Sequence, residues 1–139
     1  MKIKFTIWGE PLGKQRQRHR YRNFQKPYTP EETVKYENLV KLEYENQCGG
    51  MRFDKDTPLD MRITAYLSIP DSVSKKKRQA MIEGKIRPIK KPDFDNISKI
   101  VADGLQKIAY PDDKQIVDSQ TRKFYGEQPR VVVTIQEAK

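Results

Sequence analysis

The chain has 139 residues, a net charge of +9 and a pI near 9.6; 34% of its residues are charged and 35% hydrophobic. That length predicts one domain over 1–139 with a modest core, and no apolar run is long enough for a membrane-spanning helix. The charge points to a polyanionic partner, nucleic acid ahead of an anionic membrane surface.

Lys2 to Trp8 alternates polar and apolar residues and predicts a strand with Ile3, Phe5 and Ile7 on one face. It does not resemble a signal peptide. With Cys48 the only cysteine, no intrachain disulfide can form, and the expectation is a cytoplasmic protein, nucleoid-associated when bound to DNA. Trp8, at the strand end, is expected in the core.

Gly9 to Pro30 reads as a loop. Thr29-Pro30-Glu31-Glu32 predicts a helix start with Thr29 as cap and Pro30 in the first turn. That helix should run to about Gln47 and stop at Gly49-Gly50. Its apolar positions Val34, Leu39, Val40 and Leu42 are only loosely periodic. Leu59 to Ile69 predicts a strand with Ile63, Ala65, Leu67 and Ile69 facing one way. Ser72 or Ser74 should cap a short basic helix ending near Gly84, and Pro88 and Pro92 keep Lys85 to Pro92 extended.

Asp95 or Asn96 should cap an amphipathic helix on which Ile97, Ile100, Val101, Leu105 and Ile108 recur at helical spacing. Gln115 to Tyr125 and Arg130 to Gln136 predict two strands joined by a turn at Gly126–Pro129, read as a hairpin. The resulting fold class is α+β: a small mixed or antiparallel β-sheet with helices packed on one face, in the order β-α-β-α-α-β-β.

Four carboxylates stand out against the basic background: Asp93 and Asp95 at the head of the second long helix, and Asp112 and Asp113 beyond its end. Such clustering is costly without a cation, and hard oxygen ligands suit Mg²⁺ or Mn²⁺. One metal site would require the Lys90–Asp95 segment to lie alongside the strand that Asp113 leads into. Asp93, Asp95 and Asp113 would then hold the metal, Lys99 would neutralise a phosphate oxygen, and Asn96 would orient a ligand carboxylate. The plainer reading is that these acids are ordinary caps and turns, with Asp95–Lys99 an i,i+4 pair and Asp103 solvated. An EF-hand is excluded because Ser98 stands where its loop needs glycine.

Basic residues cluster twice. Lys14, Arg16, Arg18, Arg20 and Arg22 would form a row along an extended loop. Lys75, Lys76, Lys77 and Arg78, with Lys85, Arg87, Lys90 and Lys91, make a second zone. Both read as DNA phosphate contacts, against the alternative of solvated charge. His19 reads as a phosphate contact. Tyr21, Phe24 and Tyr28 are candidates either for stacking on exposed bases or for core and interface packing.

The joint pattern Lys91-Pro-Asp-Phe-Asp-Asn-Ile-Ser-Lys99, Asp103-Gly-Leu and Tyr110-Pro-Asp-Asp-Lys-Gln-Ile-Val117 resembles the signature of RusA-type Holliday junction resolvases. Lys123 and Tyr125 fit as well. The specific match covers roughly residues 91–126. The resemblance implies a homodimeric, Mg²⁺- or Mn²⁺-dependent endodeoxyribonuclease that nicks four-way junctions symmetrically in DNA recombination and repair, often encoded by a phage or prophage. It places the essential acids on Asp93, Asp95 and Asp113, with Asp112 as a secondary ligand, and the functional lysine on Lys99. Three alternatives remain: a structure-selective DNA-binding protein without catalysis, a metal-dependent nuclease for other branched DNA, and a phosphoacceptor domain. The last would need a parallel βα order that this chain lacks.

Overall fold

The computed structural model describes residues 1–15 and 30–139. The elements are β1 (Lys2–Trp8), α1 (Glu31–Cys48), β2 (Leu59–Ser68), α2 (Lys75–Ile82), α3 (Phe94–Leu105), a 3₁₀ turn (Asp113–Gln115), β3 (Ile116–Gly126) and β4 (Arg130–Glu137). The predicted α+β order is the observed one. The Arg16, Arg18, Arg20 and Arg22 row, with His19, Tyr21, Phe24, Tyr28 and the Thr29 cap, lies outside the described residues. At the head of α1 the cap position is held by Pro30, one residue later than expected and without a side-chain hydrogen bond.

The four strands form one mixed sheet in the order β1-β4-β2-β3. β4 is antiparallel to both β1 and β2, and β2 runs parallel to β3. The expected β3–β4 hairpin therefore does not form: β2 lies between the two strands. The β3–β4 connection crosses the end of β2 and passes close over Tyr66. Gly126 permits this, since a Cβ there would stand 3.0 Å from the Tyr66 Cβ. β2 is buried at Leu59, Asp60, Met61, Ile63, Ala65 and Leu67, which suits the interior of the sheet. The polar Asp118-Ser119-Gln120 run of β3 is exposed, as an edge strand tolerates.

One face of the sheet forms the core. Ile3, Phe5 and Ile7 meet Val131, Val133 and Ile135 in register, and β2 continues the layer. Over it pack α1 and α3. α3 contributes Ile97, Ile100, Val101 and Leu105, while Ile108 lies in the turn after the helix and is half-buried. α1 turns Thr33, Tyr36, Val40, Tyr44 and Cys48 inward. Of the expected aliphatic set Val40 is buried and Leu39 partly so, but Val34 and Leu42 are exposed, and Thr33, Tyr36 and Tyr44 complete the buried stripe. Tyr44 meets Phe5 edge to face at 5.5 Å and donates its hydroxyl to the Met51 carbonyl. α1 and α3 approach closely at Gly104, where a Cβ would lie 3.0 Å from that of Val40. Trp8 is 52% exposed on the opposite face, contrary to expectation, because it alternates out of phase with Ile7.

Candidate active site

α3 begins two or three residues earlier than the expected cap at Asp95 or Asn96, with Asp93 at its cap position. Ser74 of α2 and Asp112 of the 3₁₀ turn both use their side chains to cap a backbone N–H; Asp93 makes no such bond. Among the described residues the exposed carboxylate of Asp93 is thus uncommitted. Asp95, in the first turn, accepts the Asn96 N–H at 3.0 Å. Asp93 and Asp95 share an open depression with Lys90, Lys91 and Lys123. That depression is built by ties between the 87–91 connector and β3: Arg87 Nε donates to the Lys123 carbonyl at 3.0 Å, and Lys123 Nζ donates to that of Lys90.

The second acidic pair is divided by function. Asp112 forms a capping box: its side chain accepts the Lys114 N–H at 3.0 Å while the Gln115 amide oxygen accepts its own N–H at 3.2 Å. The Lys114 N–H holds the Asp112 carboxyl below the usual range. Gln115 is buried and donates to the Asp54 and Thr57 carbonyls at 2.6 and 3.2 Å, pinning the turn to the loop before β2. Asp113 is left free of capping and half-buried. Desolvation pushes its carboxyl up, and the neighbouring Asp112 and Asp103 add to the shift against the opposing charge of Lys99.

The connector is tied to β3 at Lys123, near the strand's end, and not beside Asp113. Asp113 instead lies within electrostatic reach of Asp103 and Lys99. Asp95 and Asp103 are eight residues apart, about 12 Å along a helix axis. Asp95 and Asp103 therefore stand near opposite ends of α3, with Lys99 midway between them in the chain. Among the described residues no three acidic, histidine or cysteine side chains converge as a preformed metal cluster. Asp95 and Lys99 do not form an ion pair; Lys99 Nζ is 3.8 Å from Asp103 Oδ2.

Asp103 was expected to be solvated and Lys14 to meet DNA. The structure places them together. Lys14 Nζ lies 2.7 Å from Glu37 Oε2 and 3.1 Å from Asp103 Oδ2, and each of the three side chains is about four-fifths buried. Burial pulls the Lys14 pKa down, but the two carboxylates outweigh it and the net shift is upward. Lys14 N–H also donates to the Asn96 carbonyl at 2.8 Å. Gly13 fits so tightly that a Cβ would stand 2.9 Å from those of Asn96 and Pro92. Lys14 is a clamp holding the loop after β1 against α1 and α3, and its ammonium is committed within the protein. Lys75, Lys76, Lys77, Lys90 and Lys91 remain exposed with no carboxylate partner among the described residues.

Sequence reasoning missed Gln115, the Lys14–Glu37–Asp103 triad and the Lys123 tie. Asp112-x-x-Gln115 is a capping-box spacing and could have been read. The other two depend on helix packing and strand register, which no local pattern specifies.

These features describe an α+β domain with two acidic pairs, at the head of α3 and in the turn beyond it, on a strongly basic chain. The family description "Endodeoxyribonuclease RusA" matches residues 9–136, and the chain belongs to that family. Membership implies a Holliday junction resolvase-like nuclease, metal-dependent and directed at branched DNA. "Uncharacterized protein YqaN" of Bacillus subtilis strain 168 is 38% identical over 143 residues, covering 97% of this chain and 96% of that protein. No helix among the described residues is long and apolar enough to cross a membrane.

Proposed function

We propose that this chain is a homodimeric, Mg²⁺- or Mn²⁺-dependent resolvase that cuts four-way DNA junctions by paired, symmetric phosphodiester hydrolysis. The observation that carries this reading is the division of labour among the acids. Asp112 is consumed by capping, whereas Asp93, Asp95 and Asp113 are free of salt bridges among the described residues and flank Lys99. Three such carboxylates fit a hard divalent ion by donor chemistry. Asp93, Asp95 and Asp113 would hold it.

When bound, the cation supplies polarisation of the scissile phosphate and acidification of a water. The chain's own groups do the rest. Lys99 balances charge on a non-bridging oxygen; its ammonium lies 3.8 Å from Asp103 and its charge acts on Asp113. Lys90, Lys91 and Lys123 draw the phosphate backbone toward Asp93 and Asp95. Asn96, anchored through its carbonyl to Lys14, steadies the first turn of α3. Lys75, Lys76 and Lys77 on α2 extend the positive surface to a DNA arm, and Arg16, Arg18, Arg20 and Arg22 are proposed as further phosphate contacts. A twofold dimer would present two sites matched to the symmetry of a four-way junction and so permit paired nicks.

Asp93→Asn, Asp95→Asn and Asp113→Asn test the roles. Each should abolish metal-dependent cleavage while sparing or tightening junction binding, because each removes negative charge near phosphate. Retained cleavage in all three would overturn the assignment.

A further inference from the structure

The face of the sheet opposite α1 and α3, bordered by the end of α2 where Gly84 stands against the Phe124 ring, carries an organised row of rings and guanidiniums that the nuclease reading leaves unused. Phe124, Tyr66, Arg130 and Trp8 are register partners across β3, β2, β4 and β1. At the usual strand spacing they span about 14 Å in one line. Phe124 and Tyr66 stack with centroids 6.0 Å apart and planes at 27°. Arg130 lies over the Tyr66 ring at 3.9 Å, while Arg87 and Arg122 lie over Phe124 at 4.0 and 4.9 Å.

Arg130 and Arg87 are braced by carbonyls without being neutralised, and Arg122 is held against the Phe124 ring. Arg130 Nη1 donates to the Gln128 carbonyl at 2.9 Å and Arg87 Nε to that of Lys123 at 3.0 Å. None of the three pairs with a carboxylate among the described residues; Glu127, the acid of the adjoining depression, pairs with Arg78 at 3.9 Å. A guanidinium stacked on a ring and steadied by one carbonyl keeps its remaining N–H groups in a fixed plane. That is the arrangement that binds phosphate oxygens in a fork.

The row is also continuous with the candidate active site. Lys123, which lines the Asp93–Asp95 depression, is the residue before Phe124. Arg87 joins the two sides, bonding to the Lys123 backbone and placing its guanidinium over the outward Phe124 ring. A backbone leaving the acidic depression over the β3 edge would meet Arg87, then Arg122, then Arg130. Beyond them, Trp8 borders a shallow depression of about 560 Å³.

We propose that this outer face is a second nucleic-acid contact surface, in which Arg122 and Arg130, with Arg87, grip the phosphodiester backbone of a duplex arm. The inference rests on the proposed nuclease reading for its polarity, and adds residues that reading does not use. Charge favours DNA over a second copy of the chain, because a twofold self-contact would set unneutralised guanidiniums against one another.

The test is the salt dependence of binding to a fluorescent 30-base-pair duplex, followed by anisotropy in EDTA so that no cutting intervenes. Arg122→Gln/Arg130→Gln should reduce the magnitude of the log K versus log[NaCl] slope by about 1.8, at about 0.9 per phosphate contact. Arg122→Lys/Arg130→Lys should retain most of the slope. Arg122→Gln alone, on an exposed side chain, should lower it by about 0.9 and covers the case in which the double variant misfolds. An unchanged slope in correctly folded variants overturns the proposal. So does an unchanged slope accompanied by a change of oligomeric state in light scattering, which would make this face a contact between copies. Junction nicking by the wild type in Mg²⁺ is scored separately, so failure of the nuclease reading is distinguishable from failure of the track.

Discussion

Replacing Lys14 by Met should destabilise the protein by about 2 kcal/mol. Exposed ion pairs are worth about 0–1 kcal/mol, and stripping one partner from a fully buried pair costs about 3–5. The Lys14–Glu37–Asp103 triad, with side chains 19%, 17% and 23% exposed, falls between these limits. Methionine preserves the aliphatic packing, so the loss reports chiefly the two carboxylates left facing each other between α1 and α3. Urea unfolding followed by circular dichroism reads the difference directly. Adding Glu37→Gln to Lys14→Met should recover about 1 kcal/mol, because it removes one of the stranded charges. The salt slope of DNA binding should not change, since Lys14 is committed internally. A loss below about 0.5 kcal/mol together with a slope reduced by about 0.9 would refute the clamp and restore Lys14 as a phosphate contact.

Other outcomes follow from the same geometry. The Asp113 carboxyl is pushed up by desolvation and by Asp112 and Asp103, so its charged form opposes folding. Asp113→Asn should therefore raise Tm at neutral pH, and the gain should vanish as pH falls below the ordinary aspartate pKa of about 3.9; a lower Tm at pH 7 would contradict the assigned repulsion. Asp112 has the opposite sign: its lowered pKa means stability present above the ordinary carboxylate range and lost on acidification. Asp112→Ala should lower Tm at pH 7, with the gap to wild type closing toward pH 2–3 in a thermal melt series. Gly13→Ala should displace the loop from Asn96 and Pro92, slowing cleavage while leaving the melting transition cooperative; unchanged turnover would show that the close fit does not position α3.

The periodic elements were legible because one-sided burial leaves a mark on the sequence. Ile3, Phe5 and Ile7 announce β1, and Ile97, Ile100, Val101 and Leu105 announce α3. In α1 only Val40 of the aliphatic residues is fully buried; Thr33, Tyr36 and Tyr44 share its stripe, and a count of aliphatic residues overlooks them. The β3–β4 hairpin failed for a non-local reason. A short Gly-to-Pro connection predicts pairing of its flanking strands, but β2 claims the position beside β4, and only a three-dimensional register shows it. At the candidate site the acids and Lys99 were readable from spacing. Their arrangement along α3, and the diversion of Lys14 and Asp103 into an internal clamp, arise from the close α1–α3 approach at Gly104. No motif encodes that approach.

The most direct test of the central claim is cleavage of an end-labelled synthetic four-way junction beside a linear duplex of the same arm sequence, with and without Mg²⁺. Paired nicks are expected at symmetry-related positions in the junction alone, dependent on the metal and absent in Asp95→Asn. Tight junction binding without metal-dependent cutting in Mg²⁺ or Mn²⁺ would contradict it and leave Asp93, Asp95 and Asp113 as the acids of a DNA-binding surface.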